Sequence, residues 1–327
     1  MSNAQKVCST PHIESMNGFH RRPYCVVNPK AALGRASRFW PQLQKELQEK
    51  IGLFPWDLTE SPMHATSLAR TALEQGYDLI VSVGGDGTHN EVINGLFVEG
   101  VTMNHQASLA VVPCGTGSDL CRSLGLSSSI ISAVQTILSG REREVDVGRL
   151  IFSHGSSSAC ERLFLNVASL GLSARVNENL GKGPRFLGGS GRFFLAAVRT
   201  LFERQHDQVS LEIDGQVFPE EMHSVVAAAN GKFFGGGMMI APHARLDDGL
   251  FDVVIIGRVS LLDFIRWGPR FYRGRYLNHP RVKYLKASSM CAKSVTPVPV
   301  EVDGETVGTL PATFTVLPKA LRIRVPG

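Results

Sequence analysis

The chain has 327 residues, 43% of them hydrophobic and 19% charged, a composition that fits a folded globular protein and excludes a largely disordered or fibrous one. At roughly 150 residues per domain, the length allows about two domains, each large enough to bury a core. The 34 Lys and Arg outnumber the 29 Asp and Glu to give a formal charge of +5, which favours anionic partners without choosing among nucleic acid, membrane and nucleotide.

The first twenty residues hold Pro11, Glu14, Asn17 and Gly18 but no apolar block, so they read as a tail over 1–20 rather than a secretory signal. The six cysteines form no CxxC pair, which points to a reducing compartment. No apolar run approaches the about 18 residues of a membrane-spanning helix, so any membrane contact is expected to be peripheral.

From Tyr24 onward, short apolar runs alternate with helical patterns. A strand at Tyr24–Asn28 precedes a helix with Phe39, Leu43, Leu47 and Ile51 at four-residue spacing, and then a strand at Trp56–Thr59. Ser61 as N-cap and Pro62 at the first helical position predict a second helix with Ala65, Leu68, Ala69, Ala72 and Leu73 on its apolar face. Next come a strand at Leu79–Val83, a glycine-rich turn, a helix near Asn90–Phe97, a strand at Leu109–Val112, a second glycine-rich turn, a helix near Ile130–Leu138 and a short strand at Val145–Val147. Such alternation predicts a parallel sheet covered on both faces, with ligands at the carboxyl ends of its strands. Past Gly148 and the polar stretch Ser153–Cys160, period-two strands take over. Val209–Ile213 and Gln216–Phe218 flank the hairpin dipeptide Asp214-Gly215, and further strands read at Ser224–Ala229, Phe251–Ile256, Val298–Val302, Phe314–Leu317 and Leu321–Val325. The expected architecture is an α/β domain over 21–148 and a β-sandwich-like domain over 149–312, with the last strand (about 313–327) returning to the first.

Two turns carry chemistry. Val83-Gly84-Gly85-Asp86-Gly87-Thr88 lies between a buried strand and a helix whose first turn holds Asn90 and Glu91. Its glycines let backbone N–H groups approach an oxyanion, and the helix N-terminus favours negative charge, so the turn suits a phosphate. It is neither a Walker A sequence nor a GxGxxG fingerprint. Pro113-Cys114-Gly115-Thr116-Gly117-Ser118-Asp119 repeats the arrangement after the next parallel strand, and Asp146 closes the strand Val145–Val147. Asp86, Asp119 and Asp146 at successive strand ends could converge on Mg²⁺ held through waters beside ATP phosphates; each alone could equally be a cap or a turn residue.

Together with Asn28-Pro29 and Gly34, Asp247-Asp248-Gly249 and Asp303-Gly304-Glu305, these motifs resemble, in order from about Tyr24 to Val325, the diacylglycerol kinase catalytic-domain family of bacterial lipid, sphingosine and ceramide kinases. The resemblance implies a Rossmann-like α/β nucleotide-binding domain, a second β-sandwich lipid domain, and an active site in the cleft between them. Carried over position by position, it implies an ATP site at Asn28, Pro29, Lys30, Ala31, Ala32, Thr59, Gly85, Asp86, Gly87, Thr88, His89, Asn90, Glu91 and Thr116. Asp86, Asp119 and Asp146 correspond to the acidic network positioning the catalytic Mg²⁺ by way of water. Asp303 corresponds to the general base, with Glu305 near the nucleotide. Asp248, with the backbone oxygens of Arg245 and Leu250, corresponds to a structural Mg²⁺ site of some members. From the residues alone, Asp303-Gly304 also reads as a plain hairpin turn. The chain departs from the family pattern at Ala32, where a glycine is usual, and at Ser118, where an Asn is usual.

The implied activity is ATP- and Mg²⁺-dependent transfer of the γ-phosphoryl group to a membrane-lipid hydroxyl, with diacylglycerol as the leading acceptor and a sphingoid base or ceramide as the alternative. NAD kinase, which shares the Gly-Gly-Asp-Gly motif, and a non-catalytic nucleotide sensor are the further readings. From Arg258 to Lys286 eight basic residues face Asp263 alone, interleaved with Leu261, Leu262, Phe264, Ile265, Trp267, Phe271 and Tyr272. This segment reads either as an interfacial helix on anionic lipid or as a helix packed on the sandwich with solvated arginines. Gly181–Gly191, with the apolar stretch Arg192–Phe202 after it, reads either as a glycine-rich entrance to a lipid cleft or as the approach to a buried helix of the sandwich, and Asn230–Gly237 either as a hinge or as a substrate-side loop. The expectation is a cytoplasmic, peripherally membrane-associated enzyme without a nucleic-acid partner; a homodimer stays open.

Overall fold

The structure is a computed structural model that describes residues 19–115, 117–153, 159–180, 195–196, 198–200, 207–258 and 260–327. Strand and helix alternate through β1 (Pro23–Val27), α1 (Ala31–Ile51), β2 (Trp56–Leu58), α2 (His64–Glu74), β3 (Leu79–Gly84), α3 (Asp86–Gly95), the short pair β4 (Phe97–Val98) and β5 (Val101–Thr102), β6 (Ser108–Pro113), α4 (Asp119–Leu124) and α5 (Ile130–Ser139). The strands β2, β1, β3 and β6 lie side by side in parallel, and every residue of β1, β3 and β6 is buried, as a sheet covered on both faces requires. Successive side chains point to opposite faces. Cys25, Val27, Val81 and Val83 therefore pack with Trp40, Leu43 and Leu47 of α1, while Val26, Ile80 and Val111 pack with Ala69 of α2 and Val92 of α3.

The second half comprises β7 (Arg141–Ser153), β8 (Cys160–Phe164), β9 (Val167–Gly171), α6 (Leu172–Leu180), β10 (Asp207–Ile213), β11 (Gln216–Ala229), β12 (Phe233–Phe234), β13 (Met238–Met239), β14 (Phe251–Gly257), α7 (Leu261–Phe271), β15 (Val282–Ala287), β16 (Ser289–Lys293), β17 (Pro299–Val302) and β18 (Glu305–Val325). The pairs within this half are antiparallel and enclose a core that includes Phe164, Leu170, Val226, Val253 and Phe314. Two long strands tie the halves together. β18 runs antiparallel to β17, β16 and β7 and then ends with Arg322–Arg324 parallel to Ser108–Ala110 of β6. The expected fold class, an α/β layer joined to an antiparallel sandwich, is what the chain forms.

Several boundaries differ from the sequence reading. α2 begins at His64 behind Met63 (φ 64°), because Ser61 and Pro62 sit in a turn closed by the His64 N–H donating to the Ser61 carbonyl. The strands read at Phe314–Leu317 and Leu321–Val325 are parts of one 21-residue strand. The basic segment is a helix only over Leu261–Phe271; Lys283 and Lys286 lie on β15. The Gly181–Gly191 stretch lies outside the described residues.

Candidate active site

The carboxyl ends of β1, β3 and β6 meet edge to edge. The Asn28 N–H donates to the Val83 carbonyl at 2.9 Å, and the Cys114 N–H to the Gly84 carbonyl at 2.7 Å. This brings the two glycine-rich turns into backbone contact: a Cβ on Gly115 would lie 2.7 Å from the Cα of Gly85, closer than side chains pack, so the contact needs glycine. A Cβ on Gly87 would likewise run into the Glu305 carboxylate. The Asn28 side chain donates to Thr88 Oγ1 at 2.9 Å, tying the first loop to α3. Above these turns opens a cavity of about 450 Å³, walled on one side by Asn28, Ala31, Ala32, Gly85–Thr88, Glu91, Gly115, Gly117 and Asp119, and on the other by Asn166, Val167, Phe234–Gly236, Glu301 and Asp303–Glu305.

Three of the acidic residues that line it are aspartates. Asp86 heads α3 and accepts from the N–H groups of Asp119 and Leu120 at the start of α4 (both 3.3 Å), so the first turn's acid caps the second turn's helix. Burial pushes its pKa up against those donors. Asp119 receives the Arg122 guanidinium at 2.6 Å and the Gly236 N–H at 2.7 Å, yet burial and then the neighbouring Asp86 push it up to about 6. Asp303 is the third. Its Oδ1 accepts from the N–H groups of Asn166 (3.2 Å) and Val167 (3.0 Å), and its Oδ2 from Asn90 Nδ2 at 2.8 Å. Burial pushes it up to about 6, restrained first by the Asn90 hydrogen bond.

Asp303 forms the hairpin turn and also lines the cavity. Asp303 and Gly304 take φ of 48° and 91° between β17 and β18, the all-positive geometry of a tight hairpin. Asp214 and Gly215 do the same (45° and 79°), but the Asp214 carboxylate accepts from Ser288 and Ser289 at the surface. One dipeptide makes both turns; what separates them is the surroundings of the aspartate.

Not every expected residue reaches the cavity. His89 turns away, 1% exposed, with Nδ1 2.7 Å from Ser82 Oγ and its pKa pushed by burial down to about 3, so it is a neutral core imidazole. Asn90 reaches Asp303 and the Leu163 carbonyl instead of the cavity wall. Pro29, Lys30 and Thr59 are not among the lining residues, and Lys30 Nζ lies 3.5 Å from the Glu60 carbonyl. Asp146 is fully buried, accepts from the Gly249 and Lys319 N–H groups at 2.7 and 2.8 Å, and is not among the lining residues. Thr116 lies outside the described residues. Glu305 lines the cavity and pairs with Arg162 at 3.3 Å.

The hard-oxygen donors Asp86 and Asp119, beside a glycine cradle, fit a Mg²⁺-bound triphosphate. At the Arg245–Leu250 segment the Lys286 ammonium lies 2.5 Å from Asp248 and 3.8 Å from Asp252, while Asp248 Oδ1 and Asp252 Oδ2 are buried without a hydrogen-bond partner among the described residues. Among the described residues no group of three or more His, Cys, Asp or Glu converges as a metal site.

Sequence reasoning passed over Asn166 and Glu301, and reached Gly236 only as part of the Asn230–Gly237 segment. Asn166 sits inside the buried run Leu163–Leu170, and a lone amide in such a run is the signal that could have found it: it accepts from Ser123 and donates to the Phe233 carbonyl, joining α4 to the glycine loop.

Comparison with known proteins settles the relationship. Residues 22–150 match the diacylglycerol kinase catalytic domain, and residues 166–325 match the YegS C-terminal NAD kinase beta sandwich-like domain. A protein of Staphylococcus epidermidis named diacylglycerol kinase is 31% identical over 94% of this chain and 92% of its own length. The chain belongs to the diacylglycerol kinase family, a family of lipid kinases. A Bacillus subtilis member with the same name is 30% identical over 80% of this chain and 82% of its own. Among solved structures, a candidate diacylglycerol kinase of Bacillus anthracis str. Sterne superposes with a TM-score of 0.74 at 25% identity, covering 93% of this chain and 97% of its own. Yeast NADH kinase (TM-score 0.51, 13% identity, 94% and 84% covered) shares the fold alone. A kinase of this family uses a nucleotide as phosphoryl donor.

Proposed function

We propose that this enzyme transfers the γ-phosphoryl group of ATP, with Mg²⁺, to the hydroxyl of diacylglycerol in an anionic membrane surface, making phosphatidic acid. The observation that carries the proposal is that Asp303 faces the same cavity as Asp86 and Asp119 while being held by Asn90 of the Gly-Gly-Asp-Gly helix. The names of the relatives supply the acceptor.

The backbone N–H groups of Gly85, Gly87 and Gly115, at the start of α3 and in the facing turn, would take the phosphates. Asp86 and Asp119 would hold the metal, which neutralises charge on the transferring phosphoryl group when bound. Asp303, with both oxygens oriented by three donors, takes the acceptor hydroxyl's proton as that oxygen bonds to the γ-phosphorus and the bond to the ADP oxygen breaks. Asn90 keeps the base ionised near neutrality, because its hydrogen bond opposes the effect of burial.

Peripheral membrane contact belongs to the same reading, over a narrower patch than the sequence suggests. Phe271 and Trp267 of α7 pack onto the sandwich, while Leu262 is 78% exposed and Arg266 and Arg270 are solvent-facing. Arg281, Lys283 and Lys286 are already paired with Asp263, Glu221 and Asp248. The test is incubation with [γ-³²P]ATP and vesicles carrying diacylglycerol, sphingoid base or ceramide, with NAD in a parallel reaction. Label in phosphatidic acid supports the proposal; label in NADP alone, or only in a sphingolipid, overturns it.

A further inference from the structure

Glu301 has no part in the phosphoryl chemistry, yet it lines the same cavity while only 3% exposed. It sits on β17 two residues before Asp303, and both residues line the cavity. Its register partner on β9 is Ser169, whose hydroxyl donates to Glu301 Oε1; Ser173 Oγ lies 2.7 Å from Ser169 Oγ, and both serines are buried. A three-member polar chain thus fixes one oxygen of Glu301 and leaves Oε2 without a hydrogen-bond partner among the described residues. A carboxyl held inside an apolar sandwich and aimed at a substrate cavity is costly unless something there pairs with it.

We infer that Glu301, oriented by Ser169, is the acceptor-recognition residue: its free oxygen hydrogen-bonds a second polar group of the acceptor, an ester carbonyl or hydroxyl next to the alcohol that Asp303 deprotonates. This rests on the lipid-kinase reading and deepens it, because it makes the enzyme selective for a glycerol-type acceptor over a plain long-chain alcohol. Burial, with the nearby Asp303 adding to it, pushes Glu301 up to about 7, so a proton-bearing carboxyl able to donate to a carbonyl is well populated near neutrality. Val167 and Phe234 supply apolar wall beside it for the adjoining carbons.

The test compares wild type, Glu301→Gln and Glu301→Leu with 1,2-dioctanoylglycerol and with 1-decanol in detergent micelles, alongside binding of a fluorescent ATP analogue. Glu301→Gln keeps a donor and should retain wild-type preference. Glu301→Leu should raise KM for the glyceride about tenfold, the worth of one buried hydrogen bond, with little change in kcat or nucleotide affinity. Its KM for decanol should not move. Ser169→Ala, which removes the orienting hydroxyl, should fall between. If wild type phosphorylates the glyceride and Glu301→Leu, still binding nucleotide, keeps both KM and preference, the inference is overturned while the lipid-kinase reading stands. If wild type phosphorylates no lipid, both fall. Should Glu301→Leu lose nucleotide binding, Ser169→Ala decides: an unchanged glyceride KM there overturns the inference.

Discussion

Asn90 Nδ2 lies 2.8 Å from Asp303 Oδ2, a hydrogen bond that spans 213 positions of sequence and joins α3 to the hairpin between β17 and β18. Asn90 also donates to the Leu163 carbonyl at 2.9 Å, so its amide is fixed from two sides. Removing it should cost a charge-assisted hydrogen bond of about 1.5–3 kcal/mol, seen as a ten- to hundredfold lower kcat for Asn90→Ala, with the KM for ATP changed far less.

The same pair governs the pH dependence. A general base works only when ionised, so kcat/KM should rise with pH through about 6 and level off above it, following Asp303. Asn90 lowers that pKa; its loss leaves the effect of burial less opposed, and the midpoint for Asn90→Ala should move upward. A pH–rate profile of both proteins checks the sign. A midpoint that stays put or moves downward contradicts the arrangement.

The contact between the two glycine turns makes a separate prediction. In Gly115→Ala the new methyl would lie 2.7 Å from the Cα of Gly85, against backbone that cannot swing aside. Overpacking of this kind costs about 1–3 kcal/mol, and it falls where the phosphates are expected. The KM for ATP should rise at least tenfold, whereas acceptor KM should hold; isothermal titration with a non-hydrolysable ATP analogue reads the nucleotide effect directly.

Both departures from the family pattern fall on left-handed backbone. Ala32 has φ 48° and Ser118 has φ 53°, where glycine and asparagine respectively are the better-suited residues. Ala32→Gly should therefore raise stability by about 1 kcal/mol and Ser118→Asn by a few tenths, measured as shifts in Tm. Nucleotide affinity should be held or improved, because the loops already adopt the required path.

How far the sequence foretells this molecule depends on whether a signal is local. The buried strands Leu79–Val83 and Leu109–Val112 and the Asp214-Gly215 hairpin are legible because periodicity and turn chemistry act over a few residues. The start of α2 is not: Ser61-Pro62 has the letters of a helix start, but His64 closes a turn on Ser61 instead. The site divides the same way. Asp86 and Asp119 follow from glycine turns at strand ends, whereas Asp303 and Asp214 carry the same turn signal and part only when long-range pairing sets one beside Asn90 and the other beside Ser288. His89 and Asp146 were motif positions whose side chains the surrounding packing turned elsewhere, toward Ser82 and toward the Gly249 and Lys319 amides.

The most direct measurement is phosphoryl transfer by Asp303→Asn set beside its nucleotide binding. With Asp303 as base, transfer from ATP to diacylglycerol should fall by about 10²–10⁴, while ATP binds within about twofold of wild type because Asp86 and both glycine turns are intact. Transfer at the wild-type rate by a variant that still binds ATP would contradict the assignment of Asp303 and, with it, the single crevice on which the mechanism depends.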